Sequence, residues 1–290
     1  MYNINVMESS KETFLYRHPA VEKLKSAGKE LGLPKAGLRL RLGLAALMGV
    51  MHGRGEVDVS GEDNLIEAAK RAKEEGRGLV IVSSHESGLD VPTASYLASL
   101  MGKTAIGIAS TNSDWIKKDV GGFNAETIQY VLTGIKNFIR VPYKWIDRKN
   151  KRPAPFSEDD YKEVVERVKN GEIVVMAGFS DHESVTHRNI GSAAVHIALE
   201  AGVEILPISV SSDKAEDFSG GPSAAVLKDH KLKIDIGETG DDWSDVISHS
   251  YRKASPKTKK AIRRMIRNDL ANHGVFKKIV SKGNRRLSKK

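Results

Sequence analysis

From about residue 56 to residue 250, short unbroken apolar runs alternate with longer stretches in which apolar positions recur every three or four residues. The runs predict strands near Gly78–Ser83, Thr104–Ala109, Asn137–Val141, Glu172–Ala177, Glu204–Val210 and Lys231–Gly237. The amphipathic stretches predict helices near Asn64–Glu75, Val91–Met101, Ala125–Leu132, Glu158–Asn170 and Ile190–Gly202. Strands and helices in regular alternation imply an α/β fold: a mostly parallel or mixed sheet flanked by helices.

The two ends read differently. Residues 1–55 are helix-prone, with a polar leader, a segment around Ala20–Leu31, a break at Gly32–Pro34 and a second segment over Ala36–Met51. In that segment Leu38, Leu40, Leu42, Leu44 and Leu47 are set among Arg39, Arg41 and Gly43. This fits a core helix, and equally a helix lying in lipid with its arginines at headgroup level. The longest near-continuous apolar stretch, Leu42–Met51, is about half the length that spans a bilayer, and no signal-peptide pattern opens the chain. The expectation is a cytoplasmic protein attached peripherally to a membrane. Three regions follow: an N-terminal helical membrane-contacting element (1–55), a central domain (56–250), and a basic helix with a flexible tail (251–290).

Composition narrows the chemistry. With 290 residues and 40% apolar content the chain can bury a large core. The absence of cysteine excludes disulfides, thiolate metal sites and a thiol nucleophile. The formal net charge of +9 is unevenly placed, because Arg252–Lys290 holds 15 Lys or Arg against one acid, Asp269, while the rest holds 31 bases against 36 acids. Such a segment attracts phosphates, whether of anionic lipid or of nucleic acid. Its helical part carries Ile262, Met265, Ile266 and Leu270, an apolar stripe suited to an anionic bilayer.

The most informative residues are SSHESGLDVP, Ser83–Pro92, which join a predicted strand to a predicted helix. Open α/β sheets place their ligands at the carboxyl ends of their strands. A histidine there, His85, with a carboxylate five residues on, Asp90, forms a general base with its orienting group. The decapeptide resembles the HxxxxD motif of the glycerolipid acyltransferases, the 1-acylglycerol-3-phosphate acyltransferase family, usually written NHxSxLDxP. His85, Ser87, Leu89, Asp90 and Pro92 match, and Ser84 replaces the Asn.

Other segments extend the resemblance over roughly Val57–Val210. Upstream, GRGEVDVSGEDNLIEAAKRAKEEGRGLVIVSSH is similar to that family's approach to its catalytic turn: a short strand, a helix and a strand into His. Downstream, TGIKNFIRVPYK is similar to the second motif, with Arg140 six residues after Gly134 and Phe138 one place late. The third motif diverges. EIVVMAGFSDHESVTHRNIGSAAVHIALEAGVEILPISV keeps the strand, the helix opening at Gly191 and the final Leu206-Pro207-Ile208, but has no Pro-Glu-Gly. Alignment on Phe179 puts Ser180, Asp181 and His182 in its place, with Glu183 an alternative acid.

The resemblance implies an acyl-thioester-dependent O-acyltransferase that acylates a glycerol-phosphate or lysophospholipid hydroxyl at the membrane surface. His85 and Asp90 would be catalytic, and Ser87, Arg140, Lys144, Asp181, Glu183 and Arg188 would contact substrate. Backbone amides after His85 or near Gly178 are candidate oxyanion donors. Acyl-CoA or acyl carrier protein would enter as co-substrate, with no cofactor and no metal. His182 and His187 are five apart and lack the zincin spacing, and no nucleophile elbow, phosphate loop or dinucleotide fingerprint occurs. Two alternatives belong to other classes: a lipid-binding homologue that has lost catalysis, which the missing Pro-Glu-Gly motivates and the intact His85 and Asp90 argue against, and a basic nucleic-acid-binding protein, which the tail alone motivates.

Overall fold

The computed structural model describes residues 15, 18–51, 56–84, 90–110, 138–142, 145–147, 152–153, 157–178, 190–212, 231–240 and 245–280. Its centre is a seven-stranded sheet of β1 (Val57–Ser60), β2 (Leu79–Ser83), β3 (Thr104–Ser110), β4 (Phe138–Pro142), β7 (Ile173–Ala177), β8 (Ile205–Ser212) and β9 (Leu232–Ile236). Two short strands, β5 (Trp145–Asp147) and β6 (Arg152–Pro153), form a separate antiparallel pair. The order across the sheet is β1-β9-β8-β2-β7-β3-β4. All neighbours are parallel except β8 and β9, so the sheet is mixed, as the alternation predicts.

The uninterrupted apolar runs are explained by the covering of both faces. All five residues of β2 are buried. Leu79 and Ile81 join one core with Ile106, Val175, Leu206 and Ile208. Val80 and Val82 join the other with Ala105, Ile139, Val174 and Met176. The first core is roofed by α1 (Pro19–Leu31), α2 (Leu38–Met51), α3 (Glu62–Glu74) and α4 (Asp90–Met101). The second is roofed by α5 (Lys162–Lys169), α6 (Ser192–Ala201), α7 (Asp245–Lys253), α8 (Pro256–Leu270) and the helical residues 274–280. The predicted helix at 125–132 lies outside the described residues.

Helix α4 is buried almost all round, since it packs on the sheet with one side and under α1 and α2 with the other. A helix apolar on every side is the sequence counterpart of that position. Helix α1 begins where His18 caps the amide of Ala20 ahead of Pro19 and ends at Gly32, whose φ of 59° favours glycine. Leu40, Leu44 and Met48 of α2 face the core. Leu38 and Leu42, 64% and 60% exposed, lie on its outer side. The helix is therefore a core helix that also presents leucines to the outside. No described helix is long and apolar enough to cross a membrane.

The basic C-terminal helix forms as its sequence predicts, with Ser255 capping Thr258 and Pro256 in the first turn. Its apolar stripe, however, is turned inward. Ile266 and Leu270, with Phe276, Ile279 and Val280 after them, belong to the second core, and of the stripe Met265 is left exposed. Lipid contact is thus not what that stripe provides. The string from Ser281 to Lys290 lies outside the described residues.

Candidate active site

Strands β2, β7, β3 and β4 run parallel, so their carboxyl ends share one edge of the sheet. Every candidate of the sequence belongs to a strand end or connection at that edge. His85 comes two residues after β2, and Asp90 is the first residue of α4. Lys144 comes two residues after β4, and Asp181, Glu183 and Arg188 lie between β7 and α6. His85, Ser87, Lys144, Asp181, Glu183 and Arg188 are outside the described residues. Arg140 is placed by register alone: it pairs with Ile108, one step beyond the row formed by Val82, Met176, Gly107 and Ile139. Three strand spacings separate β2 from β4, about 14 Å at roughly 4.8 Å each.

Both flanks of the segment that holds His85 are fixed. Asp90 is 1% exposed at the start of α4, where a carboxylate is favoured by the helix dipole and where Pro92 costs no hydrogen bond. On the other side, Ser84 ties the end of β2 to β8. Its amide donates to the carbonyl of Ile208 (2.9 Å), its Oγ donates to the carbonyl of Val210 (3.2 Å), and that Oγ accepts from the amide of Val210 (2.8 Å). The residue that departs from the family's Asn is therefore a buried cross-strand clamp, a role its sequence position did not reveal.

On the β7 side, the amide of Gly178 donates to the carbonyl of Ser83 at 2.6 Å. A Cβ on Gly178 would stand 2.8 Å from that carbonyl and 3.1 Å from Val82 Cγ1, so this close approach requires glycine. The expectation of oxyanion donors near Gly178 is corrected to this extent: its own amide is committed to Ser83. The Ser83 hydroxyl is buried without a hydrogen bond among the described residues.

A second group of titratable side chains, partly buried, gathers at α6. Glu158, His196 and Glu200 bring one donor atom each within 4.8 Å of the others, a set that could ligate a cation. Its charge is already balanced. Lys259 Nζ donates to Glu158 (3.1 Å) and Glu200 (2.6 Å), and Arg263 donates to Glu158 (2.8 Å). Arg263 also donates to the Tyr251 oxygen at 2.6 Å, and that hydroxyl shares a hydrogen bond of 2.8 Å with His196 Nδ1. Glu200 lies five residues before β8, at the sheet edge opposite His85.

Burial lowers the His196 imidazole from an ordinary 6.5 to about 4, against the pull of Glu158 and Glu200. The unfolded chain therefore binds the extra proton between these values, and stability, full above pH 6.5, is lost as pH falls toward 4. The expected loss by pH 4.5 is about 2 to 3 kcal/mol. Glu158 is partly buried, yet Arg263 and Lys259 hold it below the usual carboxylate range, so its own contribution fails only at lower pH. Urea unfolding between pH 6.5 and 4.5 should show this slope, and His196→Gln should remove most of it. An equal slope in both proteins would contradict the assignment.

The family model described as Acyltransferase matches residues 56–211, just over half of the chain and close to the span of the three motifs. Among solved structures, the chain is similar to the 1-acyl-sn-glycerophosphate (LPA) acyltransferase PlsC from Thermotoga maritima. That similarity has 17% identity over 87% of this chain and 83% of the other, with a TM-score of 0.41. No curated protein matches the chain. On the family match, which spans the strand before His85 and the helix that begins at Asp90, the chain belongs to the acyltransferase family.

Proposed function

We propose that the protein transfers an acyl group from acyl-CoA or acyl carrier protein to the hydroxyl of a glycerol-phosphate or lysophospholipid at a membrane surface. The observation that carries this reading is the His85–Asp90 spacing across the β2–α4 junction of an acyltransferase domain, with Arg140 on the same sheet edge.

His85 accepts the proton of the acceptor hydroxyl as its oxygen attacks the thioester carbonyl. Asp90 holds the ring and stabilises the imidazolium. The tetrahedral intermediate then collapses, the carbon–sulfur bond breaks, and the thiolate takes the proton back from His85. With no cysteine in the chain, direct transfer is favoured over an acyl-enzyme. Arg140 holds the acceptor phosphate through paired N–H donors, with Lys144 and Arg188 in support. The separation of about 14 Å between β2 and β4 suits a small phosphorylated alcohol bridged by an arginine side chain. Asp181 or Glu183 supplies the acid that stands in for the third motif.

The membrane surface is supported by α2, whose exposed Leu38 and Leu42 lie one turn apart beside the exposed Arg39. Purified protein offered an acyl thioester and a panel of phosphorylated alcohols and lysophospholipids should release thiol in an acceptor-dependent way. Absence of release across the panel would sink the reading and favour a binding-only homologue. Arg140→Ala should raise the acceptor's half-saturation by about ten- to a hundredfold, the equivalent of a lost charged hydrogen bond of roughly 1.5 to 3 kcal/mol. Thioester affinity should change much less. Equal weakening of both substrates would assign Arg140 a structural role instead.

A further inference from the structure

Of the inward basic residues of α8, Lys259 and Arg263 pair with Glu158 and Glu200, whereas Arg267 takes other partners. Its neighbours Ile266 and Leu270 are buried in the second core, and Arg267 reaches inward with them. Its Nε donates to the carbonyl of Ile190, and its Nη1 donates to Ser192 Oγ at 2.9 Å. Among the described residues no carboxylate pairs with it. A half-buried guanidinium without a counter-ion is costly to keep, and here its donors are spent on the point where the chain enters α6.

That point is linked to the catalytic turn by hydrogen bonds. The amide of Gly191, between the two residues Arg267 holds, donates to the carbonyl of Gly178 at 2.9 Å. The amide of Gly178 donates in turn to the carbonyl of Ser83, two residues before His85. The same C-terminal region touches the chain of contacts again, because a Cβ on Gly178 would lie 3.4 Å from Ile279 Cγ2. The eleven residues 179–189 thus leave and return at points tied both to Arg267 and to Ser83.

We propose that Arg267 is a positioning residue for the reaction, which fixes the Gly178–Gly191 pairing and through it the end of β2 that presents His85. The role rests on the acyl-transfer reading, since it concerns that same site. It touches no substrate and no reacting atom. Its effect is on where the base stands, so it is expected in kcat more than in half-saturation, and displacement of a base by about an ångström costs up to roughly a hundredfold.

The test compares Arg267→Met, which keeps the stem and loses the donors, with Arg267→Lys, which keeps the charge, and with Arg264→Met on the exposed side of the same helix. Turnover per folded molecule is read beside the exchange rates of the Gly178 and Gly191 amide protons. Arg267→Met should lower kcat by about ten- to a hundredfold. It should speed exchange at both glycines, with half-saturation changed far less; Arg267→Lys should recover part of both effects, and Arg264→Met should match wild type. Unchanged glycine exchange, or unchanged kcat per folded molecule, overturns the proposal. So does an equal effect of Arg264→Met. If Arg267→Met fails to fold, the folded Arg267→Lys protein decides by the same two measurements. If the wild-type protein itself transfers no acyl group, the acyl-transfer reading falls, while glycine exchange still decides whether Arg267 secures this pairing.

Discussion

His85→Ala is expected to lower acyl transfer by at least about a hundredfold, the usual contribution of a positioned general base, while the protein stays folded. Folding is spared because the turn is anchored by its neighbours. Ser84 is clamped to β8 by its amide and its hydroxyl, and Ser83 receives the amide of Gly178. Asp90→Asn keeps the shape at the start of α4 but withdraws the negative charge that would favour the imidazolium, so it too should be strongly impaired. Initial rates of thiol release, beside a circular dichroism spectrum and a thermal midpoint, check both variants. Near-normal turnover in folded His85→Ala protein would remove His85 from the mechanism, whatever the motif suggests.

A chain ending at Ala254 is expected not to fold. It loses Ile266, Leu270, Phe276, Ile279 and Val280, all buried in the second core. At about 1.5 to 3 kcal/mol for each fully buried side chain, their removal costs on the order of 10 kcal/mol. That is comparable with the whole stability of a typical domain, about 5 to 15 kcal/mol. It also strips Glu158 and Glu200 of Lys259 and Arg263, which leaves two partly buried carboxylates without cations. A chain ending at Ser281 keeps all of these contacts and should unfold in urea much as the full chain does. Cooperative unfolding and turnover in the chain ending at Ala254 would show that the second core does not need this segment.

Particular residues explain how much of this was legible in the sequence. Strands β2 and β7 were plain because a sheet covered on both faces leaves no polar alternation to obscure them. The start of α4 was marked within a residue by Asp90 and Pro92. Helix α7 escaped notice because it is held by one aromatic, Tyr251, and a buried network, not by an apolar repeat. The β5–β6 pair, three and two residues long, has too few positions for a period to show. The His85–Asp90 spacing on which the proposed mechanism rests could be read directly, since the two residues are near in sequence. The inward arginines could not: in a helix where bases recur at most turns, Lys259, Arg263 and Arg267 differ from Lys257, Lys260 and Arg264 only in the side of the helix they occupy.

The two outermost helical layers have a consequence for orientation. Helices α1 and α2 cover α4 on one face of the sheet, and α7 and α8 cover α6 on the other. Layer spacings of about 8 to 10 Å put roughly 30 to 40 Å between the leucines of α2 and the lysines of α8. A flat leaflet that receives Leu38 and Leu42 therefore lies several screening lengths from Lys257, Lys260 and Arg264, at about 8 Å each in physiological salt. Adsorption in that pose would draw its charge dependence from Arg39 and almost none from α8, and the most basic of the described helices would face the aqueous phase.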